Sequence, residues 1–186
     1  MIGSTEVKPG MVLRLDNLLF SVQDYQHVKP GKGGAFVRLK LKNVVSGAVI
    51  DRTYRAGVKF DNVRLERTAM QFLYKSGDEY NFMNSETYDQ IALQQDFLGD
   101  SVDFLKENSY IDVLMHEGKA ISFELPTFVE LKVVMTDPGV KGDTASGGTK
   151  PATLESGAVV MVPLFLEEGT VIKVDTRNSS YVERVS

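Results

Sequence analysis

The chain has no cysteine and only two histidines among its 186 residues. The first absence excludes disulfides, thiolate nucleophiles and cysteine-held metal or iron–sulfur sites. The second leaves little for acid–base chemistry, because His27 and His116 both lie in strand-like stretches and read as surface strand residues. The carboxylates show no pairing motif. Asp96, Asp100 and Asp103 have neither EF-hand spacing nor a metal-ligand pattern, and read as a solvated face. Long hydrophobic runs are also missing. No segment approaches the about 18 apolar residues of a membrane span, and the N-terminal MIGSTEVKPGMVL has no basic run leading into an apolar stretch. The expected compartment is the cytoplasm, with no membrane partner.

What is present is ordinary in bulk and uneven in distribution. Hydrophobic residues make up 42% of the chain and charged residues 25%, enough to build packed cores. The net charge of -4 conceals a basic first third. Residues 1–63 carry ten Lys or Arg against five Asp or Glu, whereas residues 64–126 carry five against twelve. A basic patch on an otherwise acidic protein points to a local contact with phosphate backbone, at the N-terminal end.

Most apolar segments are short, rich in Val, Ile, Phe and Leu, and bounded by Gly, Asp, Asn or Pro, which is an all-β signature. Strands are predicted at residues 11–16, 18–28, 35–44, 63–75, 80–84, 110–118, 119–126, 128–137, 158–163 and 170–177. Residues 89–106 have spacing that places Ile91, Leu93, Phe97 and Leu98 on one helical face, giving one or two short helical turns. Residues 137–157, nearly devoid of large apolar side chains, read as a long exposed loop. Changes of pattern near 62–65 and 126–127 divide the chain into domains 1–63, 64–126 and 127–186. Each is about 60 residues, the size at which SH3-like and OB barrels close.

The segment Lys29-Pro30-Gly31-Lys32-Gly33-Gly34 lies between two strong strand patterns and is therefore a hairpin loop with Lys32 at its apex. Three glycines and a proline give a tip of little bulk, able to enter a narrow crevice. No acid occurs from Tyr25 to Ile50, and Arg38, Lys40 and Lys42 alternate with Val37, Leu39 and Leu41, so the three cations share a solvent face. Read locally, without the resemblance below, this is first of all a solvated hairpin whose basic edge discourages sheet aggregation. A phosphate loop is excluded, since GxxxxGK[ST] followed by a helix is absent.

The stretch KPGKGGAFVRLKLKN at 29–43 resembles the N-terminal loop of the elongation factor P family, bacterial relatives of the hypusine-bearing factor of archaea and eukaryotes. Independently, KPATLESGAVVMVPLFLEEG at 150–169 resembles the family's C-terminal signature, and VDTRNSSYVERV at 174–185 its terminus. The resemblance implies a KOW or SH3-like barrel followed by two OB folds in an elongated, transfer-RNA-like arrangement. It implies a monomeric, non-enzymatic factor without cofactor, whose partners are the 70S ribosome, ribosomal RNA and the peptidyl tRNA in the peptidyl site. Such a factor acts where synthesis stalls at consecutive prolines, with Lys32 reaching the CCA end and serving as target of a modifying enzyme. It further implies RNA contacts from Arg38, Lys40 and Lys42, from the loop holding Gly142, Asp143 and Thr144, and from Tyr181 and Arg184. A paralogue of the family shares the fold and part of the motifs. A general RNA-binding OB protein, using aromatic stacking along a basic groove, is the rival of another class.

Overall fold

The protein is described here by a computed structural model covering residues 1–139 and 148–186. Among the described residues its regular structure is nearly all strand, as expected, in three sheets.

The first sheet comprises β1 (Ile2–Gly3), β2 (Val12–Leu15), β3 (Leu18–Val28), β4 (Phe36–Asn43), β5 (Val49–Arg55) and β6 (Lys59–Val63), ordered β1-β6-β2-β3-β4-β5. The alternation in FVRLKLKN decides its central strand: Val37, Leu39 and Leu41 are fully buried, while Arg38, Lys40 and Lys42 are exposed. Leu39 and Leu41 pack with Val7, Leu13, Phe20, Val22 and Phe60 into one core, capped by an edge-on Tyr54–Phe60 pair at 5.0 Å.

The second sheet holds β7 (Glu66–Ser76), β8 (Glu79–Asn84), β9 (Gln90–Gln94), β10 (Tyr110–His116) and β11 (Lys119–Glu124), ordered β11-β10-β7-β8-β9. The third holds β12 (Phe128–Thr136), β13 (Thr149–Leu154), β14 (Val159–Pro163), β15 (Val171–Asp175) and β16 (Ser180–Arg184), ordered β14-β13-β12-β15-β16. Here β14 also touches β16, so the two ends of that order meet. By packing, the chain forms two compact units, one of residues 1–67 with 113–122 and the other of residues 68–112 with 123–186.

Three expectations are corrected. The helical face over 89–106 is part strand: Ile91 and Leu93 sit in β9, where Ile91 pairs with Phe82 and Leu93 with Tyr80. The short helical turns expected there are present, beginning at Gln95–Leu98 and continuing as a 3₁₀ turn over Gly99–Phe104. Two apolar residues two apart, Ile91 and Leu93, fit a strand's alternation, and cross-strand pairing decided it. The strand expected over 63–75 is two, broken at Arg64 and Leu65. The exposed loop expected over 137–157 contains β13, with Ala152 and Leu154 buried. Its proline is tolerated because pairing with β12 ends at Ala152, leaving Pro151 no ladder bond to donate on that side.

His116 is a partly exposed strand residue that also has side-chain partners. It is half-buried at the end of β10, its Nε2 3.3 Å from an Arg14 guanidinium nitrogen and its Nδ1 3.3 Å from the Arg64 carbonyl. Among the described residues no helix is long and apolar enough to cross a membrane.

Candidate nucleic-acid interface

The β3–β4 hairpin closes with Val28 opposite Phe36, and residues 29–35 form the loop beyond it. Lys29, Pro30, Gly31, Lys32, Gly33 and Gly34 are all exposed. Of the three glycines only Gly33 takes a left-handed backbone, with φ of 111°. An L side chain there is strained, whereas Gly31 and Gly34 supply slimness rather than conformation. The return strand is tied down where the loop ends, since the Ala56 N–H donates to the Ala35 carbonyl at 2.9 Å. Lys32 thus projects from a base of paired strands.

The outward face of β3, β4 and β5 can be read in rows across the register. Nearest the loop stand Val28, Phe36 and Arg55; next Gln26, Arg38 and Thr53; then Asp24, Lys40 and Asp51; and last Ser21, Lys42 and Val49. Opposite residues of neighbouring strands have Cβ atoms about 5 Å apart. The acid-free window from Tyr25 to Ile50 therefore ends one residue short on each side of the acids that matter, and Lys40 lies between two carboxylates. These five residues, Asp24, Gln26, Arg38, Lys40 and Asp51, line a depression of about 370 Å³. Arg38 and Lys42 face no acid in their own rows. Sequence reasoning missed Asp24 and Asp51 because register is non-local. Phe36 was legible, since it begins the same alternating phase as Arg38, Lys40 and Lys42.

In the third sheet, Tyr181 lies opposite Val174 and Arg184 opposite Ile172, with a register shift between Lys173 and Val174. The extra residue in β16 puts positions three apart on one side of the strand, so Tyr181 and Arg184 share a face. Tyr181 packs half-buried against the core formed by Leu131, Val133, Ile172, Val174 and their neighbours, while Arg184 is exposed. Arg177 is held elsewhere: its Nε and a terminal nitrogen donate to the two Asp175 carboxylate oxygens at 3.0 and 2.6 Å. That fork holds the Asp175 carboxyl below its ordinary range. Gly142, Asp143 and Thr144 lie outside the described residues. The chain leading toward them is firmly anchored, because the buried Lys150 donates to the Asp137 carbonyl at 2.5 Å. A Cβ on Gly139 would strike the Leu164 carbonyl.

Comparison with known proteins places these features in a family. Residues 4–60 match the family model described as elongation factor P (EF-P) KOW-like domain, residues 65–123 the elongation factor P (EF-P) OB domain, and residues 129–184 elongation factor P, C-terminal. The chain belongs to the elongation factor P family. Among curated relatives, elongation factor P of Natranaerobius thermophilus is 57% identical, covering 100% of this chain and 98% of its own. That of Pelotomaculum thermopropionicum is 54% identical, with 100% of both chains covered. That of Saccharopolyspora erythraea is 51% identical, covering 100% of this chain and 99% of its own. Membership of the elongation factor P family makes this a translation elongation factor whose partner is the ribosome. A solved structure, eukaryotic translation initiation factor 5A from Methanococcus jannaschii, shares the fold at a TM-score of 0.51 and 19% identity, over 66% of this chain and 89% of that one.

Proposed function

We propose that this elongation factor P family member binds the ribosome between the peptidyl and exit tRNA sites when synthesis stalls at consecutive prolines, and restores peptide-bond formation by positioning the CCA end of peptidyl tRNA with Lys32. A prolyl nucleophile is a constrained secondary amine, and a proline-containing nascent chain holds the reacting ester away from attack geometry, which forfeits much of the advantage of proximity. The chemistry remains the ribosome's, and the factor supplies orientation. The observation that carries this reading is an exposed lysine on a slim glycine-flanked tip, raised on paired strands whose outer face is basic. An ammonium with three donors suits sugar and phosphate oxygens.

In this reading the three domains are residues 1–63, 64–126 and 127–186, working as a cytoplasmic monomer without cofactor or catalytic residue. Arg38 and Lys42 contact phosphates of tRNA or ribosomal RNA, with Lys40 contributing less. The loop at Gly142, Asp143 and Thr144 approaches the exit-site codon, and Tyr181 with Arg184 contacts RNA in the same region. Lys32 is extended by a modifying enzyme, and Gly31 and Gly33 leave its side chain open to that enzyme.

The test pairs Lys32→Ala with translation of a Pro-Pro-Pro message. The variant is expected to melt as the wild type does and to lose rescue; intact rescue with a lowered melting temperature would make Lys32 structural and refute the proposal. Intact-mass and peptide mapping of protein from its native host are expected to show an addition confined to Lys32.

A further inference from the structure

The two rows nearest the Lys32 loop differ from the rest of that face. They contain an aromatic ring, two guanidinium groups, Gln26 and Thr53, and no acid; carboxylates begin only in the third row. Beside them opens a cavity of about 620 Å³, within the range of small-ligand sites, lined chiefly by Phe36, Thr53, Tyr54 and Arg55 with the backbone of Gly34 and Ala35. Tyr54 is committed to the core through its edge-on contact with Phe60. Phe36 is not: it lies on the outward face, half-buried, with Arg55 directly opposite and Arg38 two residues along. Sequence patterning assigned no role to Phe36, Thr53 or Arg55.

A flat apolar ring beside two guanidinium groups selects a ligand that is both planar and anionic. An acidic peptide would satisfy the cations and leave the ring unused. An unpaired nucleotide satisfies both, since its base stacks on an aromatic face while its phosphate meets arginine. Paired RNA would not fit, because its bases are already stacked. We propose that this cavity takes one unpaired nucleobase of the RNA to which the Lys32 loop is delivered, stacked on Phe36, with Arg55 on the adjoining phosphate and Thr53 within reach of the base edge. The inference rests on the function proposed above and names a specificity site for it. Lys32 then supplies charge at the tip, while the cavity at its foot fixes where along the strand the tip arrives.

The test uses ribosomes carrying peptidyl tRNA, whose unpaired bases are probed with dimethyl sulfate as the full-length factor is added. Wild-type protein is expected to protect one base. Phe36→Leu, which keeps apolar volume without a stacking face, is expected to raise the half-protecting concentration about tenfold. Phe36→Tyr, which keeps the ring, is expected to protect as the wild type does, and Arg55→Gln to weaken protection several-fold. Melting curves establish that each variant is folded. Protection unchanged by both Phe36→Leu and Arg55→Gln would overturn the inference. So would a wild-type factor that rescues Pro-Pro-Pro synthesis while every base stays equally reactive, an outcome that leaves the proposed function standing. Conversely, base protection by a factor that gives no rescue would overturn the proposed function and leave the cavity's ligand assigned. Loss of the Lys32 mass addition in Phe36→Leu with unaltered base protection would assign the cavity to a modifying enzyme and overturn the inference.

Discussion

The Lys32 hairpin and the β15–β16 end of the third sheet both carry candidate RNA contacts, and they are built on opposite terms. At the hairpin the candidate side chains lie outside the packed structure: Lys32 is on an exposed tip, and Arg38 and Lys42 stand on the outer face while Val37, Leu39 and Leu41 hold the strand from within. In the third sheet Tyr181 is part of the core's wall, and a bulge brings Arg184 to its side. Candidate contacts and packing are separate in the first region and shared in the second.

The largest expected contrast follows directly. Tyr181→Ala should cost about 2 kcal/mol in thermal or denaturant unfolding, because it strips a half-buried ring from the core. Lys32→Ala should stay within about 0.5 kcal/mol of wild type. Equal stability losses would mean the two regions are built alike.

Within the loop the comparison sharpens between two glycines. Gly33→Ala should cost about 1 kcal/mol and reduce polyproline rescue, since a φ of 111° is strained for an L side chain. Gly31→Ala, with open space and an ordinary φ, should leave melting unchanged. If both substitutions behave alike, Gly33 is there for slimness only.

On the strand behind the loop, Arg38→Gln and Lys42→Gln should each weaken ribosome binding and lower the slope of log affinity against log salt by about one. Lys40→Gln should do less, because Asp24 and Asp51 already oppose that charge across both neighbours. A larger effect at Lys40 would show that the flanking acids do not neutralise it in the bound state.

The smallest effect concerns pH in the unit that contains the third sheet. Burial alone would raise the Glu155 carboxyl, but the Lys132 N–H at 2.9 Å and the Lys106 ammonium at 3.1 Å outweigh it and hold the group below its ordinary value. A carboxyl depressed in the folded state gives stability that is present above its unfolded value and lost as pH falls through the folded one. Denaturant midpoints should therefore drop as the solution is acidified below pH of about 4, and less so in Glu155→Gln. An identical acid profile in that variant would remove Glu155 from the account.

Much of this was legible in order of residues alone, and the exceptions share a cause. Strands buried on one face, such as β4 and β12, announced themselves by alternation. Strand β5 did not: in VIDRTYR it lies at a sheet edge, with little buried on either face. Strand β13 was masked by small residues and a proline, although Lys150, Ala152 and Leu154 point inward. For the site, local punctuation by Gly and Pro exposed Lys32, and the acid-free run exposed the cations. What could not be read was register, which places Asp24 and Asp51 beside Lys40 and Arg55 beside Phe36. The common side of Tyr181 and Arg184 needed a bulge that no spacing rule reveals.

The claim on which the rest depends is that Lys32 arrives at the CCA end. A short photocrosslinker installed at position 32 in place of the lysine, in factor bound to ribosomes stalled at consecutive prolines, measures this directly. Crosslinks confined to the last nucleotides of peptidyl tRNA and the ribosomal RNA facing them are the expected result. Crosslinks to the decoding region or to ribosomal proteins, with the CCA end untouched, would contradict it.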